Sequence, residues 1–345
     1  MSYAPVIIPT LNRYAHLKKC LDSLSNNTLA EDTEIFISVD YPPAPKYENG
    51  YRKVVDMLND YDFSCFKNAD VTYQTSNLGA KRNTEYLFSK AKTVSQTAIY
   101  SEDDNEFAPN FLEYINKSLN KFNDDREVIF VCGTIDTHWI FPTGANVTKT
   151  KFCPSYGTGV WLNRREKFIS DGSQYLLDKK NWSFFNFRLL YKRNRFLFSK
   201  YICDILLSEG GLYWQNDGTL NFCDVPKAIY MHLSEYTSIS PAIPVSRTFG
   251  NDGSGTNMPV LDTIEQFSLD ESTHFEIVCS GNFKYDPKNY AIGEEFLCRQ
   301  YLQGKRWNPG MFLALFGALL LLLTGKNRNV TIKIIHIISR IFKKK

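Results

Sequence analysis

The stretch Thr97 to Glu102 reads as a strand, and the chain continues it as Glu102-Asp103-Asp104. Three adjacent carboxylates at a strand end repel one another and are costly unless a cation or a hydrogen-bond donor satisfies them. A hard divalent ion such as Mg²⁺ or Mn²⁺ suits oxygen ligands of this kind, and it readily bridges to a diphosphate. An acidic triplet alone is most often solvated surface. Its place at the end of a buried strand is what turns it into a chemical signal. Other polar groups fall at comparable positions: Thr10-Leu11-Asn12-Arg13 after the first strand, Asp40 after the second, and Ser76 to Arg82 at the start of a helix. Loops are polar anyway. Four such clusters following four successive elements are less easily put down to chance.

The elements that must position these residues alternate. Strands are expected at Pro5 to Pro9, Glu34 to Asp40, Val71 to Gln74, Thr97 to Glu102 and Val128 to Gly133. Apolar residues at helical spacing separate them: Leu17, Cys20, Leu21 and Leu24, then Tyr51, Val54, Val55 and Leu58, then Leu78, Ala80, Tyr86 and Leu87. This pattern predicts an α/β fold with a mostly parallel sheet, whose ligands bind at the carboxyl ends of the strands. Pro109 suits the first turn of a further helix. Residues 139–160 read as turn-rich, 181–207 as an aromatic and basic helical pattern, and 250–257 as a flexible Gly/Asn/Ser loop.

The whole chain is 345 residues with a net charge of +3, too small to argue for nucleic acid. The charge is unevenly placed. Residues 309–345 hold seven Lys or Arg and no acid, which leaves the body at −4. Within that tail the apolar run Met311 to Leu323 is 13 residues long, short of the roughly 20 needed to span a bilayer upright. Ile332, Ile335, Ile338 and Ile341 then form one helical stripe ahead of Lys343-Lys344-Lys345. A hydrophobic, basic tail of this kind is expected to associate with a membrane surface. No signal-peptide pattern opens the sequence, and the eight cysteines contain no CxxC, so reduced thiols in a cytosolic setting are expected.

The motifs together resemble a GT-A glycosyltransferase. Pro5-Val6-Ile7-Ile8-Pro9-Thr10-Leu11-Asn12-Arg13 and the helix after it are similar to the opening of family 2 enzymes. Tyr100 to Tyr114, with its EDD and the following Ala108-Pro109-Asn110-Phe111, is closer to the N-acetylglucosaminyltransferase I family, as are Val245 to Gly250 and the turn Cys153 to Gly159. The resemblance implies a Rossmann-like GT-A domain over 1–300, with a nucleotide-sugar half at 1–135 and an acceptor half at 136–300. It implies inverting transfer from a UDP-sugar, UDP-GlcNAc by the closer resemblance, with Mn²⁺ or Mg²⁺. Carried over residue by residue, Asp104 would bind the metal. Asp103 and Glu102 would face the ribose and sugar, Asp40 the uracil, and Thr10, Arg13 and Arg82 the nucleotide. Ser246 and Arg247 would belong to a loop that orders over the donor.

Such a reaction also needs a carboxylate to take the acceptor hydroxyl proton. Asp217 is the candidate, with Asp178 and Glu209 as rivals, because the family's Trp-Asp-Asp run is not present and an insertion at about 182–210 intervenes. Asp217-Gly218 is equally readable as an ordinary turn. His232 suits Mn²⁺, although a histidine in such an apolar context is more often simply buried and hydrogen-bonded. A bacterial enzyme on the cytoplasmic face of the inner membrane, building a lipid-linked, lipopolysaccharide or capsule glycan, fits these features. Two other classes compete. A sugar nucleotidyltransferase would need a Gly-rich phosphate loop after the first strand, and Thr10-Leu11-Asn12-Arg13 has no glycine. A non-catalytic, membrane-associated carbohydrate-binding protein would not need the acidic triplet.

Overall fold

The computed structural model describes residues 3–135, 144–151, 153, 156–181, 184–193, 220–250, 252–254, 268–280 and 283. Val6–Thr10 (β1), Glu34–Val39 (β2), Asn68–Tyr73 (β3), Thr97–Tyr100 (β4) and Val128–Cys132 (β6) match the five expected strands to within a few residues. Asn105–Phe107 (β5), Val147–Thr150 (β7), Thr158–Trp161 (β8), Thr237–Pro241 (β9) and Ser246–Thr248 (β10) complete the set. The main sheet runs β3-β2-β1-β4-β8-β6-β9-β7. The strands β3, β2, β1 and β4 are mutually parallel, β8 runs antiparallel between β4 and β6, and β7 is antiparallel at the edge. Strands buried on both faces read as continuous apolar runs, as Val6-Ile7-Ile8 and Val128-Ile129-Phe130-Val131 do.

The helices follow the expected periodicity. Tyr14–Ser25 (α1) buries Leu17, Cys20, Leu21 and Leu24 on one face, and Glu48–Asp60 (α2) buries Val54 and Leu58. Gly79–Ala91 (α3) and Phe111–Lys121 (α4) cover the sheet further along. Helix α4 starts two residues after Pro109, which therefore precedes the helix instead of forming its first turn. The reading of 139–160 as turns is corrected in part, since β7 and β8 lie there. Their sequences, Val-Thr-Lys-Thr and Thr-Gly-Val-Trp, are too short to carry an alternating pattern.

By compactness the chain splits into two units. The first holds Met1–Thr137, Phe141–Glu166 and Thr237–Tyr285, and the second includes Lys167–Tyr236. The first unit thus takes in segments beyond residue 135: β7, β8 and β9 belong to the main sheet, and β10 pairs with β5 in a small second sheet. In the second unit, Leu162–Leu177 (α5, which begins in the first), Phe184–Arg193 (α6) and Asp224–Leu233 (α7) are the helices described. Phe168, Phe222, Tyr230 and Tyr236 form an aromatic cluster there. The tail at 309–345 lies outside the described residues. Among the described residues no helix is long and apolar enough to cross a membrane.

An extended strap, 268–280, is tied along the first unit. Phe275 is buried edge-on against Tyr114 at 4.7 Å. Its amide donates to Glu113 Oε2 at 2.8 Å, and Lys117 donates to its carbonyl at 2.9 Å. Partial burial works against the Glu113 charge, but Lys117 and the Phe275 amide outweigh it and hold the carboxyl below its ordinary range. A depressed carboxyl pKa stabilises the fold above the unfolded value of about 4.3, and that contribution is lost as pH falls through the folded value. Glu113→Gln should therefore lower stability at pH 7, and the difference should shrink as pH falls below about 4.3 and through the folded value, as denaturant titrations across that range would report.

Candidate active site

Parallel pairing brings the polar strand ends to one edge. Asp40 N donates to Thr10 O at 2.9 Å, and Ser101 N donates to Ile7 O at 3.0 Å, so the segments after β1, β2 and β4 leave the sheet side by side. At their centre are two buried carboxylates, Asp103 at 5% and Asp104 at 6% exposure. Thr10 Oγ1 donates to Asp103 Oδ2 at 2.8 Å. The Arg13 guanidinium bridges the pair, with Nη2 on Asp103 Oδ1 and Nη1 on Asp104 Oδ2 at 2.8 Å. Burial pushes the Asp103 carboxyl up, and Arg13 and Thr10 pull it back. Burial also opposes the Arg13 charge, but the two carboxylates more than compensate and raise its pKa. The remaining oxygen, Asp104 Oδ1, is buried and has no hydrogen-bond partner among the described residues.

A second segment closes over this pair. Strand β10 pairs antiparallel with β5, placing Arg247 opposite Glu106 and Thr248 opposite Asn105. Arg247 Nε donates to Glu106 Oε2 at 2.7 Å, and Lys19 Nζ donates to the same oxygen at 3.1 Å. Phe249 N donates to Asp104 O at 2.9 Å, while the Phe249 ring stacks on His16 at 5.2 Å with Lys19 Nζ 4.3 Å from its centroid. Gly250 follows directly. A Cβ there would run into the Asp104 carboxylate and lie 3.2 Å from Arg13 Nη1. Only a residue without a side chain fits that approach. Ser246, expected in the loop over the donor, is instead fully buried, with Oγ donating to Tyr156 O at 2.9 Å. It fits there because Gly133 and Gly157 leave room, and Gly157 holds a φ of +67° that favours glycine.

The other expected residues sit as follows. Asp40 accepts four hydrogen bonds within the chain: Tyr41 N and Leu78 N on Oδ1, Gly79 N and Asn77 Nδ2 on Oδ2. A carboxylate has about four acceptor positions, so these fill it. Asp40 thus holds the 77–79 loop and the start of α3. Asn77, which sequence reading passed over, shares that task. Arg82 is exposed in the first turn of α3, its Nε donating to Leu78 O at 2.8 Å. Glu102 is half-buried beside the pair. Cys20 lies against Ser101 and the Glu102 carbonyl, and burial pushes its thiol up to about 12, which makes it inert as a nucleophile. In the second unit Asp178 is exposed and accepts from Lys180 N at 3.0 Å in a short turn. His232 is buried, with Nδ1 2.8 Å from Ala228 O. Asp217 and Glu209 lie outside the described residues.

Among the described residues, no three His, Cys, Asp or Glu side chains converge as a complete cation cage. That does not conflict with a catalytic Mg²⁺-type ion, which is held by one or two carboxylates and takes its other ligands from water and substrate phosphates. The unpartnered Asp104 Oδ1 is the acceptor such an ion requires, so the residues present fit one.

The sequence of residues 6–185 matches the family model described as "Glycosyl transferase family 2". The chain belongs to glycosyltransferase family 2. The match covers the edge just described, with Thr10, Arg13, Asp103 and Asp104 inside it. No curated protein matches the sequence. Among solved structures the chain is similar to S. aureus TarS at 12% identity and a TM-score of 0.33, over 49% of this chain and 29% of TarS. It is similar to TarS 1-349 at 14% identity and a TM-score of 0.32, over 49% and 48%. It thus spans less than half the length of either TarS structure. A mannosyltransferase, PcManGT from Pyrobaculum calidifontis, solved in complex with GDP-Man and Mn²⁺, aligns at 11% identity and a TM-score of 0.34 over 100% of this chain and 89% of that one. The particular likeness to the N-acetylglucosaminyltransferase I family is not among these findings; family 2 is what the sequence matches.

The contact between Gly250 and Asp104 yields a test within this family 2 domain. Overpacking a tight site costs about 1–3 kcal/mol, roughly 5- to 150-fold in an equilibrium. Gly250→Ala should lower the stability of the chain by up to about that much, and by shifting Asp104 it should also weaken Mn²⁺ binding, while circular dichroism stays close to that of the unaltered protein. Isothermal titration with Mn²⁺ in the presence of a nucleoside diphosphate is the measurement.

Proposed function

We propose that this protein is an inverting, metal-dependent glycosyltransferase. In this reading it moves a sugar, GlcNAc by the family resemblance, from a UDP-sugar to a glycan hydroxyl. The observation that carries the proposal is the buried Asp103–Asp104 pair at the carboxyl edge of a parallel sheet, with Asp104 Oδ1 left without a partner. Bound Mn²⁺ or Mg²⁺ would neutralise charge on the departing diphosphate. Asp104 is the residue that holds the ion. Thr10 and Arg13 fix Asp103 and keep the two carboxylates from repelling each other. Arg13, half-buried, also supplies a positive charge that would meet the diphosphate at this edge. Asp40 shapes the base pocket through the 77–79 backbone, and Arg82 on the first turn of α3 lies where it can meet the nucleotide. Arg247 and Lys19 line the segment that covers the donor.

The acceptor hydroxyl must lose its proton as the sugar transfers, and Asp217 is the base we assign to that step, with Asp178 and Glu209 as the alternatives. The basic, apolar tail at 309–345 supports a place on the cytoplasmic face of a bacterial inner membrane, where a lipid-linked acceptor would be concentrated. The test is a binding titration of the protein with UDP-, GDP- and CMP-sugars, with and without Mn²⁺, for the unaltered chain and Asp104→Ala. Metal-dependent binding of a UDP-sugar, lost by at least about tenfold in Asp104→Ala, is the expected outcome. Equal binding by the two proteins, or binding that ignores the metal, would refute the proposal.

A further inference from the structure

Helix α6 presents two unlike faces. Asn186 Nδ2 donates to Tyr175 Oη at 2.7 Å and to Asn181 O at 2.8 Å. Leu190 is fully buried, and Arg193 Nη1 donates to the His232 carbonyl at 2.5 Å. These three residues are spaced four and three apart, so one stripe of the helix is tied into its own unit. The other stripe faces out. Phe185 is 71% exposed, the most exposed of the large apolar side chains described, and Arg188, three residues on, is exposed beside it. A large aromatic left in water on a helix whose opposite face is pinned marks an interaction surface.

The charge of the surrounding sequence says what kind of partner fits. Residues 179–203 contain seven Lys or Arg, eight aromatic residues and no Asp or Glu. An acidic protein partner would need matching shape. An anionic lipid surface needs only basic groups to meet its headgroups and aromatic rings to enter the boundary beneath them. The body of the chain is otherwise net acidic, so the positive field is local to this segment and to the tail. We propose that the outward stripe of α6, Phe185 and Arg188, is a membrane-contact site for anionic phospholipid. It rests on the membrane part of the reading above and adds to the tail a second contact, one on the described helix α6. Two contacts suit the rule that stable peripheral attachment takes more than one weak signal.

The experiment is vesicle co-sedimentation of the full chain with phosphatidylcholine alone and with an equimolar mixture of phosphatidylcholine and phosphatidylglycerol. The unaltered protein is compared with Phe185→Ser/Arg188→Gln, with Arg188→Gln alone, and with Lys343, Lys344 and Lys345 all changed to Gln. Binding should require phosphatidylglycerol and weaken with salt. The double variant should lose about tenfold or more in partition while its thermal midpoint and its sugar-nucleotide binding stay unchanged. Arg188→Gln alone, a surface change that cannot threaten folding, should lose a smaller, salt-sensitive part. Unchanged partition in both α6 variants while the tail variant loses binding would overturn the proposal, as would failure of the unaltered protein to pellet with either vesicle. A large drop in the double variant's thermal midpoint, with no change in Arg188→Gln partition, would show that this face is covered by the chain itself and would also overturn it. Because donor binding is read separately, failure of the transferase reading would appear there and not in the pellets.

Discussion

Two ionised carboxylates side by side in a protein interior repel each other strongly unless a positive charge or hydrogen-bond donors offset them. In this chain Arg13 supplies that charge, and the rest of the site is organised around keeping it there. Arg13 lies three residues past the end of β1 and the aspartates come from the turn after β4, so the bridge forms only if β1 and β4 lie next to each other in parallel. The apolar runs that make those strands central therefore do two things at once. They bury the core, and they bring an arginine and two acids from distant parts of the chain to one edge. Three of the four carboxylate oxygens are satisfied this way, and the fourth, Asp104 Oδ1, is the acceptor left for a ligand.

The small β5–β10 sheet is the second constraint. It returns a segment some 140 residues later in sequence to the residues directly after Asp104, and it lays Gly250 on that side chain. The anchors are of several kinds: an Arg247–Glu106–Lys19 network, a ring stack of Phe249 on His16, and a buried Ser246 hydroxyl. The exposed ion pairs contribute little stability individually. Their combined effect is positional, since they hold one backbone atom close to one carboxylate.

Much of this was legible beforehand because the first half of the chain obeys simple periodicities. Val6-Ile7-Ile8 and Ile35-Phe36-Ile37 can only be buried strands, and Leu17 to Leu24 can only face a core. The acidic triplet was found from its place after a strand, and Arg13 and Thr10 from theirs. What escaped notice had a physical reason. Strand β9, Thr-Ser-Ile-Ser-Pro, is wholly buried, yet its hydroxyls make it look like a loop; Ser238 and Ser240 are satisfied across the sheet by Thr150. Strands β5 and β10 are three residues each, below the length at which alternation can be seen. The place of Asp40 at the edge follows from the end of β2, but its hold on the 77–79 backbone does not, because nothing in a single sequence shows that this loop turns back to it. Ser246 was assigned to a donor loop when two glycines had made a buried slot for it.

The central proposal is that Asp104 Oδ1, the one oxygen that Arg13 and Thr10 leave open, takes a cation carried with the donor. Anomalous diffraction from crystals grown with Mn²⁺ and a uridine diphosphate tests it most directly. The expected result is a metal peak on Asp104, with Arg13 still holding Asp103 and Asp104. A nucleotide bound at this edge with no metal on Asp104 would contradict the proposal.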